Sequence, residues 1–253
     1  MTGTNTDDIV RRGRVELAAA LRWADRLGLS EGVCNHFSLV VPDEDGALNG
    51  RRFLINPHGW HWSEVTASSL VLCDADGTVL EGDNEVERTA FCIHSRVHLG
   101  VPGAACVLHT HMPYATALTL LEDGRLEMVE QNALSFAGRI AYDDEYGGLA
   151  LAEAEGERLA RKMGNRGVLF MANHGVMVAG PSVAEAFNDL YYLERAAMFQ
   201  VLARSTGGKL RRLSDEVIAT TRQQFAEEMP KVAARHFAAI LRMLDRDMPD
   251  FRD

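Results

Sequence analysis

The strongest constraint on the fold is how tightly the apolar runs are spaced in the second half of the chain. Val168–Met171 and Val176–Ala179 read as strands, and only a polar kink built around Asn173-His174-Gly175 separates them. A parallel pair needs a crossover of a dozen or more residues, so these two strands must be antiparallel. The same holds for Leu70–Cys73 and Val79-Leu80, joined across the turn Asp74-Ala75-Asp76-Gly77. Helical patterns are interspersed: about 7–28 with Leu17, Leu21 and Ala24 at i, i+4, i+7; Val86–Leu99; Leu149–Met163; and a run opened by Ser182 with Glu185 in a capping-box pattern. Strands and helices in this mixture predict an α/β chain whose sheet is mixed and largely antiparallel, with helices covering it. Such a sheet fits the spacing better than a doubly wound parallel one.

Further punctuation sets the remaining boundaries. His36–Val41 reads as a strand ended by Pro42, and Phe53–Ile55 as a short strand before the loop Asn56-Pro57-His58-Gly59. Ala105–His111 is a strand followed by a helix that begins at Pro113. Gly207-Gly208 ends the long helix after Ser182, Ser214 caps another, and Met229-Pro230 is expected to interrupt it. There is no internal repeat or linker, so residues 1–253 are expected to form one domain, with a core over about 15–208 and a helical extension over 209–253.

Composition narrows the function classes. The 253 residues are 47% hydrophobic and 25% charged, as in globular domains, and the net charge of −10 argues against binding nucleic acid or an anionic membrane. Cys34, Cys73, Cys92 and Cys106 form no C-x-x-C pair, and three of them sit in apolar runs, which suits a reducing, cytoplasmic setting. Met1–Asp8 is polar and acidic, unlike a signal region. No P-loop, G-x-G-x-x-G turn or serine elbow is present.

The chemistry concentrates at His109-Thr110-His111. Residues i and i+2 of a strand share a face, with Cα atoms about 6 to 7 Å apart, so the pair offers two imidazoles to one metal. His174, in the kink before Gly175, supplies a third. Three neutral imidazoles leave coordination positions open, which is the mark of a catalytic metal. Zinc suits them; manganese, iron and cobalt are alternatives. His94 and His98 lie i, i+4 on one helical face, but lack the Glu of H-E-x-x-H, so packing or support of the site is favoured for them. Glu194 lies on the apolar stripe of its helix and needs a partner; support of a metal-bound imidazole is one candidate role.

From about Val15 to Gly208 the chain resembles the class II aldolase/adducin family, which includes L-fuculose phosphate aldolase. The motifs carrying the resemblance are Asn35-His36-Phe37-Ser38, Ile55-Asn56-Pro57-His58-Gly59, Glu81-Gly82, Val107-Leu108-His109-Thr110-His111, Asn173-His174-Gly175 and Tyr192-Leu193-Glu194-Arg195. The resemblance implies a three-layer α/β/α sandwich, a divalent metal on His109, His111 and His174, and a homotetramer. It also implies carbon–carbon lyase chemistry on a small-molecule substrate, with an enediolate held on the metal. The glutamate that the family's aldolases use as acid/base falls on Ala90, so Glu87, a turn earlier, and Tyr142 become the candidate proton-transfer residues. Asn35, His36, His58, Gly59 and Arg88 are the expected substrate-binding residues, and Arg88 could clamp a carboxylate in bidentate fashion. The loop His58-Gly59-Trp60-His61-Trp62 suits a flat or carboxylated substrate, although its tryptophans equally suit core packing. Two other functions therefore stand beside aldol cleavage: decarboxylation of a hydroxylated aromatic carboxylate, and a non-enzymatic adducin-like interaction domain.

Overall fold

The computed structural model describes residues 6–253; the polar start expected over Met1–Asp8 lies largely outside them. Its strands are β1 (His36–Val40), β2 (Arg52–Ile55), β3 (Val71–Asp74), β4 (Val79–Glu81), β5 (Cys106–Thr110), β6 (Ile140–Asp143), β7 (Val168–Met171) and β8 (Gly175–Gly180). The helices are α1 (Thr6–Arg26), α2 (Arg88–Gly100), α3 (Pro113–Thr119), α4 (Gln131–Leu134), α5 (Glu153–Met163), α6 (Val183–Ser205) and α7 (Asp215–Asp247). The strands make one eight-stranded sheet in the order β4-β3-β2-β1-β5-β8-β7-β6. Every pairing is antiparallel except β6 with β7, and that connection is the one that carries a crossover helix, α5. The mixed, largely antiparallel sheet expected from the sequence is the sheet observed.

Alternation along the strands splits the core into layers. On β5 and β8, Cys106, Leu108, Val176 and Val178 pack with α1, α3 and α6. Val107, Met177 and Ala179 point the other way, toward α2 and α5. The outer strands give Phe53, Ile55, Val71 and Cys73 to Ala90 and Phe91 of α2. The result is an α/β/α sandwich, and burial of strand residues on both faces explains why they read as continuous apolar runs.

Three helices depart from the expectation in ways that matter for the site or the chain's path. Helix α2 begins at Arg88 because Glu87 caps it, its carboxylate accepting from the Thr89 and Ala90 N–H groups. Helix α5 begins at Glu153; Gly147-Gly148 breaks the chain before it, with Gly148 at φ 94°, and residues 149–152 form a loop. Helix α7 runs through Pro230 without interruption. Pro230 and Ala226 are both exposed, so water can take the carbonyl that proline leaves without a donor.

The C-terminal segment returns to the body of its own chain. Phe251 is fully buried, and the Ala67 and Ser68 N–H groups donate to the Phe251 and Asp253 carbonyls at 3.0 and 2.7 Å. Arg22 of α1 donates to Val65 O at 2.7 Å and to Asp250 at 2.8 Å, tying the helix to both segments. No helix among the described residues is long and apolar enough to cross a membrane.

Candidate metal centre and its cavity

Strand β5 ends at the site. His109 pairs in register with His36 of β1 and with Met177 of β8, on the α2 face of the sheet. His111 follows two residues on, past the last pairing. His174 sits in the β7–β8 turn, its N–H donating to Met171 O at 3.2 Å and its neighbour Asn173 adopting φ 56°. The three rings meet edge to face, with centroids 5.0 Å (His109–His111), 4.8 Å (His109–His174) and 4.9 Å (His111–His174) apart. One nitrogen from each lies within 4.8 Å of the others.

Hydrogen bonds decide which nitrogens face inward. His109 Nδ1–H donates to Val176 O at 2.9 Å, which leaves the Nε2 lone pair for a ligand. The Nδ1 of His111 meets the Glu31 carboxylate, and its Nε2 is buried with no partner in the protein. A carboxylate behind an imidazole fixes its tautomer and raises its basicity as a metal ligand. The His111 backbone N–H donates to Asn35 Oδ1 at 3.2 Å, and Asn35, at φ 73°, is itself held through its carbonyl by Asn56. Burial, helped by the neighbouring histidines, holds His109 well below the usual imidazole range, and burial and His111 hold His174 at about 4. Both are neutral at pH 7. Two neutral imidazoles beside a third whose Nε2 is buried without a partner fit a divalent metal.

The turn permits this convergence only because residue 175 is glycine. A Cβ there would lie 2.6 Å from Thr110 O and 2.7 Å from His111 Cδ2. A side chain would therefore strike the strand and the imidazole together.

The triad forms one side of a cavity of about 450 Å³. His36, His58, Glu87, Ala90 and His94 line the rest, and Tyr146 stands at its mouth with its ring 6.3 Å from that of His174. His36 Nε2 lies 3.2 Å from Glu87. Burial lowers the His36 pKa to about 4, against the pull of Glu87. Burial also acts to raise that of Glu87, but bonds from Thr89 and the neighbouring His36 outweigh it and hold the carboxyl below its ordinary value. Glu87 is thus a carboxylate crowded by donors.

Residues 15–201 match the family described as Class II Aldolase and Adducin N-terminal domain. The chain belongs to that family. A protein of Caulobacter vibrioides that carries the provisional designation aldolase class 2 protein is 33% identical over 96% of this chain and 92% of its own length. Alpha-adducin of Rattus norvegicus is 35% identical over 77% of this chain, which spans 26% of that longer protein. Among solved structures, an aldolase II superfamily protein from Pseudomonas syringae superposes with a TM-score of 0.89 at 36% identity, covering 97% of this chain and 96% of its own. L-fuculose 1-phosphate aldolase from Glaciozyma antarctica shares the fold, with a TM-score of 0.85 at 22% identity over 100% of this chain and 96% of its own.

Within this class II aldolase fold, the residues singled out from the sequence separate into two groups. His109, His111, His174, His36, His58, Glu87 and Asn35 all line the cavity. Asn35 is only 2% exposed and spends its side-chain Oδ1 on the His111 N–H. Gly59, Arg88 and Tyr142 are absent from the lining. Gly59 turns the loop at φ 77° beside open space. Arg88 is exposed, 5.9 Å over the Phe91 ring, with its Nε–H donating to Leu151 O. Tyr142, on β6, accepts from the Leu126 N–H and lies under Arg125, on the face away from α2. The tyrosine that reaches the cavity is Tyr146, four residues later. Trp62 is fully buried against Phe37, and His61 caps a short 3-10 turn. Glu194 accepts from the Tyr114 and Ala115 N–H groups at 2.8 Å each, so it caps α3 and does not support a metal ligand.

Two contributors escaped sequence reasoning. Glu31 lies in a loop 80 residues before its partner His111, and nothing in its surroundings marks it. Tyr146 sits in Asp143-Asp144-Glu145-Tyr146-Gly147-Gly148, whose paired glycines signal a break but not a direction.

Proposed function

We propose that this chain is a divalent-metal-dependent carbon–carbon lyase that cleaves a small hydroxylated carbonyl compound in an aldolase-type reaction. One observation carries the reading: three imidazoles from a strand end and a turn bring nitrogens within 4.8 Å of one another on the wall of a cavity about 450 Å³ in volume. His109, His111 and His174 hold the metal, with zinc the first choice for three nitrogens and manganese, iron or cobalt the alternatives. When bound, the metal supplies Lewis-acid polarisation of an oxygen next to the breaking bond.

The protein's own groups do the rest. Glu31 and the Val176 carbonyl orient His111 and His109. Asn35 sets the His111 backbone, so its contribution to substrate binding is indirect. His36 turns its Nε2 toward the Glu87 carboxylate, 3.2 Å away, and the exposed His58 offers a hydrogen bond to a polar substituent. Tyr146, at the mouth, takes the proton-donor role considered for Tyr142. The proposal extends to a cytoplasmic homotetramer, on the pattern that the family resemblance of residues 15–201 implies.

A second reading rests on Ala90. This residue stands where the family's aldolases carry their acid/base glutamate, and Glu87 is already engaged by Thr89, Ala90 and His36. A cavity short of a strong base suits loss of CO₂ from a hydroxylated carboxylate, where departure of the group itself leaves the electron pair.

The test is a paired screen of the zinc-loaded protein: aldehyde release from hydroxyketones and CO₂ release from hydroxylated aromatic carboxylates. Metal-dependent aldehyde release supports the aldolase reading, and CO₂ release alone transfers the site to decarboxylation. A protein that takes up no zinc on reconstitution and is active in neither arm is better described as an adducin-like interaction domain.

A further inference from the structure

The α2 wall of the cavity carries a chain of hydrogen bonds that runs in one direction only. Its anchor is His98 Nδ1, 2.7 Å from the carbonyl of Ala104. A carbonyl cannot donate, so His98 Nδ1 bears the hydrogen. Burial holds the His98 pKa at about 4, so at neutral pH the ring has one hydrogen only and its Nε2 is an acceptor. Ser38 Oγ lies 2.7 Å from that Nε2 and must donate to it. Having spent its hydrogen, Ser38 accepts from His94 Nδ1–H at 2.6 Å. His94 is therefore fixed as the tautomer whose Nε2 carries a lone pair.

That Nε2 is the end of the chain, and it is buried with no partner in the protein. His94 is 1% exposed, lines the cavity, and stands 6.1 Å edge-to-face from His36. It lies four residues after Ala90 on the same face of α2, so the small side chain at 90 leaves the imidazole uncovered. A buried acceptor without a donor is costly, and a ligand that brings a donor recovers that cost. Carboxylates, and phosphate monoesters as dianions, bring only acceptors; an alcohol brings the hydrogen at any pH near neutral.

We propose that His94 is a substrate-contacting residue whose Nε2 accepts the hydrogen of an alcohol group on the substrate. The substrate class is thereby narrowed to compounds that place a free hydroxyl deep in the cavity, on the α2 side. The proposal rests on the reading of this cavity as the active site. Ser38 and His98 are positioning residues that act through His94.

The experiment is nitrogen NMR of histidine side chains in the zinc-loaded protein, with dihydroxyacetone as probe. The expected spectrum has His94 with Nδ1 of the N–H type and Nε2 of the lone-pair type at neutral pH, and Nε2 moves toward the N–H type as dihydroxyacetone is added. Ser38→Ala releases the tautomer and weakens dihydroxyacetone binding about tenfold, the scale of one hydrogen bond, while zinc content stays that of the parent protein. A His94 Nε2 that already bears hydrogen overturns the proposal. So does a His94 signal that stays fixed while those of His109, His111 and His174 respond to the probe. Absence of bound zinc, with no histidine responding, removes the active-site reading and this proposal with it.

Discussion

Gly175→Ala tests the geometry of the metal site with a single methyl group. The added Cβ would lie 2.6 Å from Thr110 O and 2.7 Å from His111 Cδ2, roughly 0.8 Å inside comfortable contact. The carbonyl belongs to a paired strand and the imidazole is held from behind by Glu31, so neither yields freely. Overpacking of this kind costs about 1–3 kcal/mol of stability. Metal ligation tolerates roughly 0.2 Å, so a displacement several times larger at His111 should weaken zinc binding about tenfold or more. The assay is zinc titration against a competing chelator, run beside a thermal melt. Gly180→Ala is the control: it lies on the same strand, its Cβ meets Ala186 at 3.1 to 3.3 Å, and it touches no histidine. It should lose stability and keep its zinc affinity. If Gly175→Ala binds zinc as tightly as the parent, the inference that this glycine sets the His111 position is refuted.

Other outcomes follow from the same contacts. Glu31→Ala removes the carboxylate behind His111 and should weaken zinc about tenfold without a matching loss of thermal stability, since Glu31 is exposed; equal zinc affinity by chelator competition would contradict the role given to it. Burial raises the Glu194 pKa from 4.5 to about 7 despite its two backbone hydrogen bonds. The folded state then binds that proton more tightly than the unfolded chain, so the associated stability, roughly 3 kcal/mol, is complete below pH 4.5 and is lost as pH rises through about 7. Urea unfolding across that window should show the decline in the parent and a flatter profile in Glu194→Gln; parallel profiles would remove Glu194 as its source.

How much of this was legible in the sequence depended on the range of the interaction. The H-x-H pair could be read because strand periodicity is local, and the β7–β8 turn because its length forbids a crossover. The α2 face bearing Ala90, His94 and His98 could be read from helical spacing, but its use could not: the partner that orients His94 is Ser38, 56 residues away on another element. Tyr142 was a poor guide because a strand tyrosine has two faces to choose from, and the β6–β7 pairing turns this one toward Phe170 and Arg125. The apolar pattern of α5 extends back through Leu149 and Leu151, yet both are exposed in the structure and the helix starts only at Glu153. Glu194 was correctly seen as a carboxylate on a buried face, but the demand it meets is the N-terminus of α3, not a histidine.

The central claim is that His109, His111 and His174 hold a metal. Elemental analysis of the purified protein, beside the His109→Ala/His111→Ala double variant, tests it most directly. Near-stoichiometric divalent metal is expected in the parent protein and none in a folded double variant. Metal that persists in the variant, or a parent protein that takes up none after reconstitution, would contradict it.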